Sequence, residues 1–269
     1  MRSMEAATAN PTPRDRLRPL RYVWRVPLLL LHVLFGILVC TLILSWAGGV
    51  MKNGREPLAH RTIRLWSTML LGVFGFRSRR FGTPLPDPVL FVANHTSWLD
   101  IELLHSQRAA CFVAKAEIAR WPLVGWMAAR GGTIFHRRGN NHSLASVMAV
   151  MVERLREGRS VAVFPEGGTG HNGVLRVFHA RIFQAALDAE VPVQPVALRF
   201  TRNGQRLIDA GFRDGESFLG NFIRLLGEPP LDVEVHFLEP VPLSPDARRR
   251  MAETARERIA AALDSGPRA

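Results

Sequence analysis

In the run Asn94–Asp100, NHTSWLD, a histidine and a carboxylate stand five residues apart. A histidine beside a carboxylate can work as a general base: the imidazole takes a hydroxyl proton while the carboxylate holds its tautomer and stabilises the imidazolium. Five residues is about 500° around a helix, so one helical face cannot carry both His95 and Asp100. They meet only if His95 ends a strand or loop and Asp100 lies in the first turn of the next helix. Ser97-Trp-Leu-Asp100 offers that boundary, fitting a capping box with Asp in place of the preferred Glu or Gln. Spacing alone leaves two readings open. Either Asp100 caps a helix and His95 is a plain loop residue, or Asp100 orients a catalytic His95.

A second stretch, Val161–Gly173 (VAVFPEGGTGHNG), empties a strand-like run into a glycine-rich loop. Gly168, Gly170 and Gly173 satisfy G-x-G-x-x-G, and Asp188 follows fifteen residues later. The dinucleotide fingerprint begins at the strand end and opens a helix. Here Pro165 and Glu166 intervene, Val174–Phe178 reads as extended, and Asp188 falls inside a helical pattern, short of the usual spacing. The loop therefore reads against a nicotinamide cofactor; its glycines suit close backbone approach to a phosphate or headgroup. The 9 histidines form no H-x-x-x-H or H-E-x-x-H spacing, so no metal is expected. No G-x-S-x-G elbow is present, which speaks against a serine hydrolase.

The elements that must hold these residues alternate from Pro88 onward. Strand-like runs fall at Val89–Ala93, Cys111–Ala114, Thr133–His136, Ser160–Phe164, Val193–Phe200 and Val233–Leu238. Between them, Ser143–Glu157 repeats apolar residues at Leu144, Val147, Met148, Met151, Val152 and Leu155, a helical stripe stopped by Gly158. A last helix is predicted from an N-cap at Ser244, with Pro245 in the first position, to about Asp264; Arg248–Arg250 is read as a solvated face. Alternation of this kind predicts an α/β domain over 81–269, with a mostly parallel or mixed sheet flanked by helices.

Ahead of that domain, Val26–Val50 is an uncharged 25-residue run, long enough to cross a bilayer. Arg14, Arg16, Arg18, Arg21 and Arg25 precede it, and Tyr22, Trp24 and Trp46 stand near its ends as interfacial anchors do. Its length and the lack of a small-residue cleavage site argue against a secretory signal. Thr62–Phe76 is too short to span and reads as an interfacial helix, with Arg61, Arg64, Arg77, Arg79 and Arg80 at its ends. The expected organisation is a basic, disordered N-terminus over 1–25 (no element is expected before residue 20), a membrane-embedded or interfacial helical hairpin over 26–80, and the α/β domain. A formal charge of +12 implies an anionic partner. A nucleic-acid module would leave the apolar run unexplained, and no aromatic-rich RNA-binding signature is present. Only Lys52 and Lys115 among the 35 basic residues are lysine, so genome composition contributes to that charge as well. Two cysteines, Cys40 and Cys111, make no disulfide framework.

NHTSWLD resembles the H-x4-D block of the glycerolipid acyltransferase superfamily, the 1-acylglycerol-3-phosphate (lysophospholipid) acyltransferases. GTIFHRR (Gly132–Arg138) is similar to that family's second block, G-x-x-F-x-x-R, which places the family arginine at Arg138. FPEGG (Phe164–Gly168) resembles the third block, F-P-E-G-T-R, and VPVQPVALRF (Val191–Phe200) the fourth, with Pro195 at the family proline. FVAKAEIARWPLVGW (Phe112–Trp126) matches the connecting segment, and the four blocks keep the family's order.

The resemblance implies transfer of a fatty acyl group from acyl-CoA or acyl carrier protein to the free hydroxyl of a lysolipid, with no further cofactor. His95 would be the general base and Asp100 its orienting partner. Arg138 would grip the acceptor phosphate, with Arg137 a surface charge. Glu166 would be structural or headgroup-orienting, in a substrate loop with Gly167, Gly168 and Thr169. Lys115 stands out in an arginine-rich chain, either as a compact ammonium beside the phosphate or developing oxyanion or as a chance retention. Glu166-Gly167-Gly168-Thr169 departs from E-G-T-R and lacks its arginine. Lysophosphatidate leads as acceptor, with a lyso-ornithine lipid as the alternative. The implied setting is the cell inner membrane, with the catalytic domain on the cytoplasmic face, membrane lipids as partners and no obligate protein partner. A membrane lipid-binding protein without catalysis is the rival class; it would use the same hairpin but need not keep His95 with Asp100.

Overall fold

A computed structural model describes residues 15–44, 57–137, 141–170, 174–202, 205–207, 211–213, 215–243 and 248–265. Helix α1 (Arg18–Val39) ends in a π-helical turn, Cys40–Leu44, and α2 (Leu58–Val73) leads directly into strand β1 (Phe76–Phe81). Then come β2 (Leu90–Ala93), α3 (Leu99–Gln107), β3 (Cys111–Lys115), α4 (Val124–Arg130), β4 (Ile134–His136), α5 (Asn141–Arg156) and β5 (Val161–Val163). The chain continues through α6 (Gln184–Ala189), β6 (Val193–Arg202), β7 (Gln205–Arg206), α7 (Phe218–Gly227), β8 (Leu231–Phe237) and α8 (Arg248–Asp264).

One sheet runs β1-β8-β6-β2-β5-β3-β4, with β7 added to β6. The five strands β6, β2, β5, β3 and β4 are mutually parallel, while β8 is antiparallel to β6 and carries β1 parallel to itself. The central strands are apolar on both faces, as parallel strands covered by helices must be. In β2, Phe91 and Ala93 join Leu70, Leu103 and Val235 in one apolar layer, and Leu90 and Val92 join Met151, Phe183 and Ile259 in the other. The predicted stripe of α5 does what its period requires: Val147, Met151 and Leu155 are buried.

The six expected strands and the mixed α/β architecture are all present. The N-terminal third departs from expectation in two places. Residues 18–25, assigned to a disordered terminus, form the first two turns of α1. Their arginines recur at spacings of three and four, so Arg18, Arg21 and Arg25 fall on one helix face, and Arg21 and Arg25 bind carbonyls at the end of α7. The arginine-rich FRSRRF, assigned to the hairpin, is β1 at the sheet edge; charge on both faces of an edge strand deters pairing with other chains and hides its strand character. The short β7 carries no apolar signal. The expected cap at Ser244 and Pro245 lies outside the described residues.

The two N-terminal helices do pack as a hairpin, with His32 stacked on Trp66 at 4.7 Å between ring centroids. The distribution of side chains on α1 is inverted relative to a soluble helix. Arg25 and His32 are buried against the protein, whereas Val23, Leu30, Leu31 and Leu34 face outward. The helix touches α7 near its start and α2 further along, and its π-helical end meets α4.

Candidate active site

The site is built at the carboxyl ends of parallel strands, where such sheets place their ligands. β2 ends at Ala93, and the next residue, Asn94, is buried. Its amide imitates a rung of the ladder: Nδ2 donates to the Leu198 carbonyl at 2.9 Å, and the Leu198 N–H donates to Oδ1 at 2.8 Å. The pairing of β2 with β6 is thereby continued by a side chain while the backbone turns away. That turn delivers His95.

Asp100, in the first turn of α3, is fully buried. Its Oδ2 accepts from the Thr96 N–H at 2.5 Å, the Ser97 N–H at 2.8 Å and His95 Nδ1 at 2.9 Å, while Thr96 Oγ1 donates to Oδ1 at 3.2 Å. The carboxylate therefore serves the helix entry and the histidine at once. Asp100 reaches back to close the entry of the helix, half of a capping box, and the same oxygen binds the histidine. With Nδ1 donating to a carboxylate, Nε2 is the basic nitrogen, and it makes no hydrogen bond among the described residues.

The Phe164 ring lies face to face on the imidazole at 3.9 Å between centroids. This contact fixes the ring plane. Neither Phe164 nor Asn94 was marked in the sequence. The signal was available for Asn94, because an amide directly after four apolar strand residues has to be satisfied in the core.

Glu166 is buried, and both its oxygens are engaged by backbone: Oε1 by the His95 N–H at 2.7 Å, Oε2 by the Arg176 N–H at 3.0 Å. Burial pushes its carboxyl above the ordinary value against the pull of those two N–H groups. The carboxylate ties the β5 loop to the His95 loop from behind, which is the structural half of the expected role. A second tie is the Gly170 N–H, which donates to the His95 carbonyl at 2.6 Å. Between them, Gly167 adopts φ +70°, a left-handed turn that glycine accepts without strain, and Gly168 and Thr169 are half-buried. Residues 174–179 form no helix, unlike the entry to a dinucleotide fold.

Lys115 is exposed at the end of β3, in register with His136 of β4, and Arg137 follows on that same edge. Topology therefore gathers His95, Lys115, the Glu166–Thr169 loop and the approach to Arg138 along one edge of the sheet. Arg138 itself lies outside the described residues. Among the described residues no group of three or more His, Cys, Asp or Glu side chains is arranged to hold a metal ion.

One flank of this edge is sealed by the segment before α7. The Phe212 N–H donates to the Thr96 carbonyl at 3.4 Å, and Trp98 Nε1 donates to Asn221 Oδ1 at 3.1 Å. Arg224 binds Glu216 through Nε at 2.7 Å and a second nitrogen at 2.8 Å, holding that carboxyl down to about 2. On α3, Glu102 accepts from Ser67 Oγ of α2 at 2.7 Å; desolvation between the helices pushes its carboxyl up to about 7.

The Acyltransferase family model matches residues 80–199, which contain every residue of this edge. The chain is 38% identical over 207 residues to the lyso-ornithine lipid O-acyltransferase of Pseudomonas aeruginosa, covering 77% of this chain and 80% of that one. It is 32% identical over 230 residues to the enzyme of that name from Brucella abortus, covering 80% and 85%. It is 37% identical over 130 residues to the 1-acyl-sn-glycerol-3-phosphate acyltransferase of Neisseria gonorrhoeae, covering 48% and 51%. The crystal structure of the 1-acyl-sn-glycerophosphate acyltransferase from Thermotoga maritima superposes with a TM-score of 0.57 at 20% identity, covering 91% of this chain and 97% of that one, a likeness of fold. With two curated relatives above 30% identity matched over most of their length, the chain belongs to the acyltransferase family that includes the lyso-ornithine lipid and 1-acylglycerol-3-phosphate enzymes, and it is an acyltransferase.

Proposed function

We propose that the protein transfers a fatty acyl group from an acyl thioester to the free hydroxyl of a lysolipid, using His95 as general base. The observation that carries this is the 2.9 Å contact from His95 Nδ1 to the buried Asp100 carboxylate, which leaves Nε2 as the proton acceptor. An alcohol is a poor nucleophile at neutral pH, so Nε2 takes its proton as the oxygen attacks the thioester carbonyl. Asp100 stabilises the imidazolium. The tetrahedral intermediate then expels the thiolate, which recovers the proton from Nε2. The products are the acylated lipid, the free thiol and neutral His95, with no acyl-enzyme required. The donor is acyl-CoA or acyl carrier protein.

For the acceptor we favour a lyso-ornithine lipid, reversing the order given by the family motif alone. Two relatives matched over most of the chain carry that name, and Thr169 stands where the phosphate-binding pattern has arginine. Lysophosphatidate is the second reading, supported by Arg138 at the family's arginine position and by the Neisseria enzyme. Purified protein assayed against both lysolipids with both donors tests the reading. Thioester-dependent acylation is expected, lost in His95→Ala, and no transfer with any pairing would overturn it.

The same reading places the enzyme at the cytoplasmic face of the inner membrane, where both donors occur, with the hairpin in one leaflet. Its support is that α1 packs along the domain, against α7, α2 and α4, rather than standing away from it. Cysteines introduced near residue 10 and at the C-terminus should label from one side only, and labelling from opposite sides would rule out the one-leaflet hairpin.

A further inference from the structure

The outer face of α7 repeats the inversion seen in α1. Its polar side chains point inward: Asn221 is 0% exposed and Arg224 is 6% exposed. Outward it presents Leu219, 63% exposed, and Ile223, 49% exposed, one helical turn apart. A helix facing water carries the opposite pattern. Single exposed leucines need no explanation, but this pair continues another apolar surface. Tyr22 of α1 donates through its hydroxyl to the Ile223 carbonyl at 2.8 Å, and Arg25 donates to the Leu226 and Glu228 carbonyls, both at 2.8 Å. The two helices meet so closely that a Cβ at Gly227 would lie 2.5 Å from the Tyr22 hydroxyl.

We infer that α7 is a second membrane-docking helix, continuous with α1, which seats Leu219 and Ile223 in an anionic bilayer and holds the catalytic loop at its surface. The inference rests on the reading that α1 lies in that membrane. A bilayer is the occupant the surroundings select. The outward face of α1 that joins α7 is apolar for most of its length, and exposed Arg16 with half-exposed Arg18 stands at its start, where anionic headgroups lie. The functional consequence follows from the inward face. Asn221 and Arg224 both donate to the Gly211 carbonyl, at 3.1 and 2.8 Å, and the neighbouring Phe212 N–H reaches the Thr96 carbonyl beside His95. Docking α7 therefore sets where His95 sits relative to the membrane, so that a lysolipid can present its hydroxyl without leaving the leaflet.

The test uses the full chain reconstituted in phosphatidylethanolamine–phosphatidylglycerol vesicles. Single cysteines (Leu219→Cys, Ile223→Cys, Leu31→Cys on α1, and Leu243→Cys as an exposed apolar control) are labelled with an environment-sensitive nitrobenzoxadiazole dye; the native Cys40 and Cys111 are buried. Doxyl-labelled lipid should quench the dye about twofold or more at 31, 219 and 223, and hardly at 243. Quenching at 31 without quenching at 219 or 223 would overturn the inference and leave the hairpin standing. Loss of quenching at all three would overturn both, and quenching at 219 and 223 without quenching at 31 would sink the hairpin and, with it, the continuous surface on which this inference rests. Dye self-transfer at 223 that falls on dilution, without lipid quenching, would mean a second copy covers the face and would also overturn the inference. As a second readout, the double variant Leu219→Glu/Ile223→Glu should lose about tenfold in rate on vesicle-embedded acceptor while keeping its rate on micelle-dispersed acceptor. Equal loss on both would count against docking.

Discussion

Asp100→Asn separates the two duties of the buried carboxylate. Its Oδ2 receives three N–H groups, from His95, Thr96 and Ser97, at 2.5–2.9 Å. Asparagine has the same shape, so its carbonyl oxygen can take those three donors while its amide faces Thr96 Oγ1, whose hydroxyl rotates to accept. What is lost is charge. A charge-assisted hydrogen bond contributes about 1.5–3 kcal/mol and a neutral one about 0.5–1.5, a difference of roughly 1 kcal/mol per donor. The two backbone donors are held in the folded ground state, so thermal stability should fall by about 2 kcal/mol. The third donor matters most once the imidazole has taken the hydroxyl proton, and kcat should fall by about 10²–10³-fold. His95→Ala should lower the rate by about 10²–10⁴-fold with little change in melting temperature, because no backbone bond depends on its ring. Thiol release from the acyl thioester gives the rates and a thermal melt gives the stability. If Asp100→Asn loses the stability but keeps kcat within about threefold, Asp100 is a helix cap and nothing more. If His95→Ala keeps more than about a tenth of the activity, the general-base mechanism is wrong.

Arg138→Ala should raise the acceptor KM or lower kcat/KM by about 10–100-fold with little effect on the donor KM, and unchanged acceptor kinetics would place the headgroup site elsewhere. Thr169→Arg restores the family arginine: an enzyme built for lysophosphatidate should tolerate or gain from it, whereas one built for an ornithine headgroup, which carries an ammonium beside its carboxylate, should lose activity if Thr169 faces that ammonium, by like-charge repulsion. Glu102, with its carboxyl raised from 4.5 to about 7, keeps in the folded protein a proton that the unfolded chain releases. Stability should therefore fall as pH rises from about 4.5 to about 7 and then level off, by on the order of 1–3 kcal/mol. Glu102→Gln should flatten that part of the pH–stability curve, and an unchanged slope would show that the group titrates normally.

The pairing of His95 with Asp100 was legible because its members lie close together in sequence. His95 and Asp100 are separated by one strand-to-helix turn, and the geometry that lets them meet follows from the helical repeat. What supports them was not legible, because it comes from elsewhere in the chain. Asn94 is satisfied by Leu198, His95 is held by Glu166 and covered by Phe164, and each of these is more than sixty residues away. Phe164 reads as one more strand residue until β5 and β2 are known to be neighbours. The central strands could be read because both faces are buried and their composition is uniformly apolar. β1 could not: an edge strand owes its place to backbone pairing with β8, and its arginines carry no trace of that.

The N-terminal helices show a second way in which local reading fails. Arg18, Arg21 and Arg25 form a basic cluster ahead of an apolar run, and the simplest physical account makes them solvated flanking charges. In the fold Arg25 is fully buried and donates to two carbonyls at the end of α7, a helix about two hundred residues later. Those carbonyls have no partner inside their own helix, and the guanidinium supplies the donors and the positive charge that a helix C-terminus favours. The arginines therefore do two things that composition cannot distinguish. Arg16 and Arg18, at the surface, can meet headgroups, whereas Arg21 and Arg25 clamp α1 to the α/β domain. That clamp bears directly on the proposed topology. A helix bound to the domain near its start, stacked on α2 through His32 and Trp66, and touching α4 at its far end runs along the α/β domain rather than away from it. If α1 lies in the membrane as proposed, its apolar outer face sits at the bilayer surface alongside the domain. Under the proposed function, the acceptor would reach Nε2 of His95 from the lipid side, while the thioester donor would arrive from water.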